Sequence, residues 1–230
     1  MKHRLKLSFQ IQFQSKWHTG SGEGSFLLDR LVKRDARNLP YIPGSTLKGI
    51  VRENCEKLSR TLSFPSPSDP HHSNPHAPGA FEPLKGIASP IDRLFGNKYE
   101  GANIFFRNAT LETDPGYQLN LEQSRSCRYR ILKTTREKHL FSTECVIPLS
   151  LETSIDAYHD DLVSLDADYP PYAYCLLLAG IMQIEYIGGD KSIGSGRASI
   201  EFSSIEYNGQ SLDIEEIFEF LDGDLYEETR

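Results

Sequence analysis

Residues 5–13 constrain the fold more than any other stretch. Leu5, Leu7, Phe9, Ile11 and Phe13 alternate with Lys6, Ser8, Gln10 and Gln12. A period of two puts the large apolar side chains on one face and the polar ones on the other, the pattern of a half-buried β-strand. Such a strand is stable only in a sheet with one face covered, so the chain must supply partner strands and a packing layer. Ser45 is well suited to be the N-cap of a helix in which Leu47, Ile50, Val51, Asn54, Cys55 and Leu58 recur at helical spacing. Residues 91–96 form a short turn packing Leu94 and Phe95. Residues 102–111 are read as a strand, residues 123–143 as an irregular segment or a hairpin, and residues 144–153 as one strand alternating Cys145, Ile147, Leu149 and Leu151. Pro170 and Pro171 open a second helix to about Tyr186, with proline in the first turn where its missing N–H costs nothing. Residues 198–207 complete the strands and 214–221 form a short acidic helix.

The order strand, helix, strand, strand, helix, strand predicts an α+β fold with a ferredoxin-like (RRM-like) palm, as a single domain over residues 1–230. Its connections carry long insertions: a Pro/His-rich loop over 63–90 and a basic insertion over 117–143. Residues 206–230 form an acidic C-terminal tail. This architecture hosts many functions, so function must be argued from the insertions.

Composition removes several classes. No run of eighteen apolar residues occurs, which predicts no membrane span. The first residues lead straight into the alternating strand, with no apolar segment of a signal peptide. Cys55, Cys127, Cys145 and Cys175 are widely spaced without a Cys-x-x-Cys pair, which fits a reduced, cytoplasmic protein. His71, His72 and His76 lack acidic or cysteine partners at ligand spacing, so no zinc is predicted. The formal net charge of −7 is unevenly spread. Residues 206–230 hold nine acids and one base, and without them 24 basic and 23 acidic residues remain. Within that near-neutral body Arg125, Arg128, Arg130, Lys133, Arg136 and Lys138 stand against one acid, Glu137, a local patch able to track a phosphate backbone.

Two further segments bear on anion binding. Gly188, Gly189, Gly194 and Gly196 occur within ten residues, with Lys191, Ser192 and Arg197. Glycines let a backbone approach closely and expose N–H groups, and the cations add charge beside phosphates. A nucleotide-binding P-loop runs from strand to helix, whereas this loop runs from helix to strand, so a grip on a nucleic-acid backbone is preferred. Residues 18–52 hold a second glycine loop with Gly20 and Gly22, beside His18. They then enter a helix whose start carries Ser45, Thr46, Lys48 and, one turn on, Arg52, an arrangement suited to phosphate.

Together "GSGEG", "LVKRD", "LPYIPGSTLKGIVR", "RLFGN" and "YIGGDKSIGSGRASIE" resemble the RAMP superfamily of CRISPR-associated proteins, and within it the repeating backbone subunit of type III effector complexes. The resemblance implies that the basic insertion is a thumb hairpin on a ferredoxin-like palm. It implies crRNA and target single-stranded RNA as ligands, and further copies of this chain and other CRISPR effector subunits as partners, with no membrane. It also implies that Asp29 is the catalytic residue and metal ligand of an endoribonuclease using Mg2+ or Mn2+, with Arg30, Lys33 and Arg34 beside it on the RNA. Asp35, six positions on, is expected to be a structural turn residue. Two alternatives remain open: a subunit that only holds guide RNA, and a stand-alone guide-processing ribonuclease. No histidine falls in residues 45–60, which weighs against the last. Some relatives carry a cysteine-bearing zinc site before the "RLFG" turn, where this chain has no cysteine.

Overall fold

In the computed structural model, residues 2–64, 67, 89–97, 101–129, 131–160, 162 and 170–219 are described. His71, His72, His76, most of the Pro/His-rich segment, Arg130 and residues 220–230 lie outside them, as does the Lys138 side chain.

The alternating segment is strand β1 (His3–Phe13), and every second residue on it is buried. Each fully buried Leu, Ile or Phe of that row contributes about 1.5–3 kcal/mol relative to exposure. β1 lies between β5 (Ser150–His159) and β6 (Ala198–Tyr207), antiparallel to both, with a register shift at Ser8/Phe9 against β6. β2 (Ile104–Phe106) pairs with the outer side of β5 and β7 (Gln210–Ser211) with the end of β6. The sheet order is β2-β5-β1-β6-β7. Helices α1 (Gly44–Thr61) and α3 (Tyr172–Met182) pack on each other, with α2 (Pro90–Phe95) and α4 (Ile214–Glu219) against α3. α3 is apolar all round, and all of its residues but Ala179 and Met182 are buried. At its crossing with α1 the backbones meet closely. A Cβ on Gly180 would lie 2.3 Å from Cys55 Sγ, and Asn54 Nδ2 donates to Gly180 O at 3.1 Å.

The basic stretch forms a hairpin, β3 (Asn120–Arg128) and β4 (Thr135–Val146), which is a separate two-stranded sheet.

Four element boundaries differ from the sequence reading. Residues 144–153 are not one strand: β4 ends at Val146 and β5 starts at Ser150, so the alternation passes from the hairpin into the main sheet. Residues 102–111 hold only the three-residue β2, followed by single bridges at Ala109 and Thr110. α3 stops at Met182, not near Tyr186, because the carbonyls of Glu185 and Gly196 take the amides of Ala198 and Ile187 in strand-like pairing. α1 starts at Gly44 with Pro43 in the cap position, so Ser45 is not the N-cap. The cap is supplied from afar: Asn108 Oδ1 accepts from the Gly44 amide at 2.9 Å. Only glycine fits there, since a Cβ would stand 2.1 Å from Phe106 O.

Candidate nucleic-acid interface

Three segments far apart in sequence meet at the base of the β3–β4 hairpin. Residues 16–20 leave β1 and run between the hairpin and the glycine-rich loop. On one side Trp17 exchanges backbone bonds with Val146, at 3.0 and 2.8 Å. On the other, Lys16 O accepts from Gly196 N at 2.8 Å and His18 O from Gly189 N at 2.9 Å. The loop itself forms a single 3-10 turn (Lys191–Ile193) flanked by Asp190 and Gly194 in left-handed conformations. Arg125 of the hairpin closes the junction with an ion pair to Asp190 at 2.9 Å.

Two of the loop glycines are required by this packing. At Gly188 (φ +96°) a Cβ would lie 2.3 Å from His18 O, and at Gly196 (φ +80°) 2.1 Å from Ile187 O. Their close backbone approach is therefore to the protein. Gly194 and Gly22 face open space with positive φ, and Gly20 is exposed beside the His18 ring.

The Asp29 segment lies along β4. Asp29 N donates to Ser142 O at 2.9 Å, and Asp29 Oδ2 accepts from Ser142 N at 2.7 Å. Arg30 O accepts from Glu144 N at 2.9 Å. Asp29 remains exposed, so its carboxylate is oriented by the hairpin yet open to solvent.

Glu144, which the sequence reading did not single out, anchors this segment. It is only 8% exposed. Its Oε2 accepts from Val32 N at 2.8 Å, its Oε1 pairs with Arg34 Nη2 at 2.5 Å, and its carbonyl accepts from His18 Nδ1 at 2.7 Å. A buried carboxylate needs such partners, and here one residue ties three segments together. Asp35 is a turn residue: it accepts from the amides of Arg37 and Leu39, both at 2.9 Å. Burial pushes its carboxyl up, but these amides and the Arg37 guanidinium prevail and hold it below its ordinary value.

Several expected RNA contacts are already engaged. His18 is buried at 5% exposure and bonded to Glu144, which makes it part of the scaffold rather than of the surface. Arg34 is paired with Glu144, and Arg125 with Asp190. Arg52 bonds Glu56 at 2.9 Å and Gly96 O at 3.2 Å, at the end of α2. Lys48 is half-buried, and burial, with Arg52 nearby, lowers its pKa. Lys33 and Thr46 are half-buried and Ser45 is exposed. Arg30, Arg128, Lys133, Arg136, Lys191, Ser192 and Arg197 are exposed. Five buried polar atoms of the converging segments, Trp17 Nε1, Thr19 Oγ1, Asn120 Oδ1, Arg125 Nε and Ser195 Oγ, have no hydrogen-bond partner among the described residues.

A family model described as the RAMP superfamily matches residues 10–199. The chain belongs to the RAMP superfamily. The matched span takes in every converging segment of the interface. The chain is 20% identical over 220 residues to the CRISPR system Cms endoribonuclease Csm3 of Streptococcus thermophilus, covering 86% of this chain and 87% of that protein. It also resembles, with a TM-score of 0.55 and 17% identity, a chain in the cryo-EM structure of the Type III-B Cmr-beta bound to cognate target RNA. That match covers 90% of this chain but 60% of the other, and at this identity it speaks for the fold alone. The family match bears out the RAMP superfamily that the sequence motifs resemble.

Among the described residues no cluster of three His, Cys, Asp or Glu side chains is placed to hold a metal ion. Asp29 alone offers one exposed carboxylate, with Oδ2 already accepting from Ser142 N. Nor is any described helix long and apolar enough to cross a membrane.

Proposed function

We propose that this RAMP protein is a crRNA-binding backbone subunit of a type III CRISPR effector complex, and that Asp29 gives it metal-dependent endoribonuclease activity on target RNA. The observation that carries the reading is the pair of hydrogen bonds between Asp29 and Ser142. It fixes an exposed carboxylate on the edge of a hairpin whose Arg128, Lys133 and Arg136 are free to meet phosphates. The strand order β2-β5-β1-β6 with α1 and α3 on one face supports a ferredoxin-like palm, with β3–β4 as its thumb. The unpartnered Thr19, Arg125 and Ser195 atoms suit additional polar groups arriving at the junction, as RNA would bring.

The residues divide the work. Asp190–Arg125 and Glu144–Arg34 hold the loops, Lys191, Arg197 and the hairpin cations attract the strand, and Asp29 faces the phosphate. A divalent ion bound through Asp29 supplies Lewis acidity at that phosphate. One carboxylate is an incomplete ligand set, so Asp29 needs RNA oxygens and water to complete it.

The test is Asp29→Ala in the assembled complex with its guide. Cutting of target RNA is expected to cease while assembly and guide content are unchanged. Continued cutting at the wild-type positions removes Asp29 from the chemistry. Cutting that survives EDTA points to a metal-independent ribonuclease instead.

A further inference from the structure

The turn directly before Asp29 carries two apolar side chains that the fold leaves in water. Phe26 is 103% exposed and Leu27 80%. Their backbone, in contrast, is held. Ser25 N donates to Leu28 O at 2.7 Å, and Ser25 Oγ accepts from the amides of Leu27 and Leu28 at 3.3 and 3.0 Å. Gly24 packs so tightly under the turn that a Cβ would lie 2.9 Å from Asp29 O. Asp29, the third residue after Phe26, is bonded to β4 at Ser142. An aromatic ring is thus displayed on a tethered turn, with its Cα no more than ~10 Å from that of the carboxylate residue.

The surroundings say what such a ring suits. Arg30 is exposed beside it, and the hairpin to which the turn is bonded presents Arg128, Lys133 and Arg136. An exposed aromatic ring on a hairpin whose cations begin ~20 Å along β4, at Arg136 six residues before Ser142, suits a single-stranded nucleic acid long enough to span both, whose bases offer π-faces and whose phosphates offer charge. Neither the folded core nor the junction uses Phe26 or Leu27, which leaves both side chains available to a ligand.

We propose that Phe26, backed by Leu27, stacks on an unpaired base of the RNA strand lying against Asp29 and so sets which phosphate the carboxylate meets. This inference rests on the RNA-binding reading above and names a positioning residue within it.

The experiment measures binding of a fluorescein-labelled single-stranded oligoadenylate to the full-length chain by anisotropy across a NaCl series. It compares wild type, Phe26→Ala, Phe26→Trp and Arg136→Ala. Phe26→Ala is expected to weaken binding about tenfold with the salt slope unchanged, because no phosphate contact is lost. Arg136→Ala is expected to make the log–log slope shallower by about 0.7. Phe26→Trp is expected to keep the affinity and to report RNA by quenching of the new indole, readable because Trp17, the one native tryptophan, is buried. Wild-type affinity in Phe26→Ala, alongside a reduced slope in Arg136→Ala, overturns the stacking role and leaves RNA binding standing. Absence of salt-dependent binding by the wild type overturns both. A change in self-association of Phe26→Ala by sedimentation, without a change in RNA affinity, assigns the turn to a second copy of the chain and overturns the proposal.

Discussion

Replacing Glu144 by alanine tests whether one buried carboxylate holds the Asp29 segment in place. The substitution is selective. The two backbone bonds of Glu144, from His18 Nδ1 to its carbonyl and from its amide to Arg30 O, do not involve the carboxylate and survive. What is lost is the acceptor for Val32 N at 2.8 Å and the partner of Arg34. Val32 is buried, so an amide left without an acceptor there costs about 1–3 kcal/mol. The Arg34 side chain is 25% exposed and keeps Asn38 O at 3.0 Å, so its loss is nearer about 1 kcal/mol. Together these give about 2–4 kcal/mol, or roughly 4–16 °C in Tm for a chain of this length. Glu144→Gln keeps an acceptor for Val32 and should lose less than half as much. Thermal unfolding by circular dichroism gives the global figure. Hydrogen exchange gives the local one: the Val32 amide should exchange faster in Glu144→Ala while amides of β1 hold their protection. The reasoning is refuted by a variant that melts within about 2 °C of wild type with the Val32 amide as protected as before.

Three further outcomes follow from contacts elsewhere in the fold. Gly180→Ala drives a methyl to within 2.3 Å of Cys55 Sγ and should destabilise by about 1–3 kcal/mol. Cys55→Ala in the same chain should recover part of that in a double-mutant cycle of melting curves, whereas strict additivity would contradict the clash. Alkylation of the native protein at pH 8 should modify Cys127 alone. Cys55, Cys145 and Cys175 are buried, and burial raises their thiol pKa values, that of Cys175 to about 12, so mass spectrometry showing rapid labelling of any of them refutes the packing. Asp35→Asn should lower stability at neutral pH and flatten the acid limb of the stability curve. The native carboxyl sits below its ordinary value of 3.8, so the unfolded chain takes up the proton first. The stabilisation is therefore present above that range and lost as pH falls through the native value, and an unchanged acid limb would show that Asp35 contributes nothing.

Much of the fold was legible because local pattern and tertiary environment agree. Five alternating residues marked β1, and the stripe from Leu47 to Leu58 marked α1, since each is buried on one face only. The misplaced boundaries are those that long-range bonds decide. Nothing within residues 144–153 reveals that the chain changes sheets after Val146. Apolar residues continue past Met182, but the pairing of residues 185–187 with 196–198 draws them out of the helix. Ser45 is a better intrinsic cap than Pro43, yet the Asn108 side chain, 64 residues away, satisfies the Gly44 amide and moves the start of α1.

The site shows the same division more sharply. That Asp29 and most of the cations are exposed could be anticipated from the sequence, because charged side chains in loops and hairpins stay in water. Glu144 could not, because a glutamate within an alternating strand reads as the polar face, and only the fold shows that this face looks onto the Asp29 segment rather than onto water. The burial of His18 was hidden for the mirror reason. A histidine beside a glycine loop suggests a surface contact, but the positive φ of Gly188 and the tight approach of its backbone bury His18 instead. The consequence is that Gly188 and Gly196 serve the packing of the protein on itself. Gly188 is needed to let residues 16–18 pass beneath the loop and Gly196 to let it close on Ile187, and that passage lies beside β4, whose Ser142 holds Asp29. Substitution of Gly188 should therefore disturb the Asp29 segment and the guide grip together, whereas substitution at exposed Lys191 should affect the grip alone.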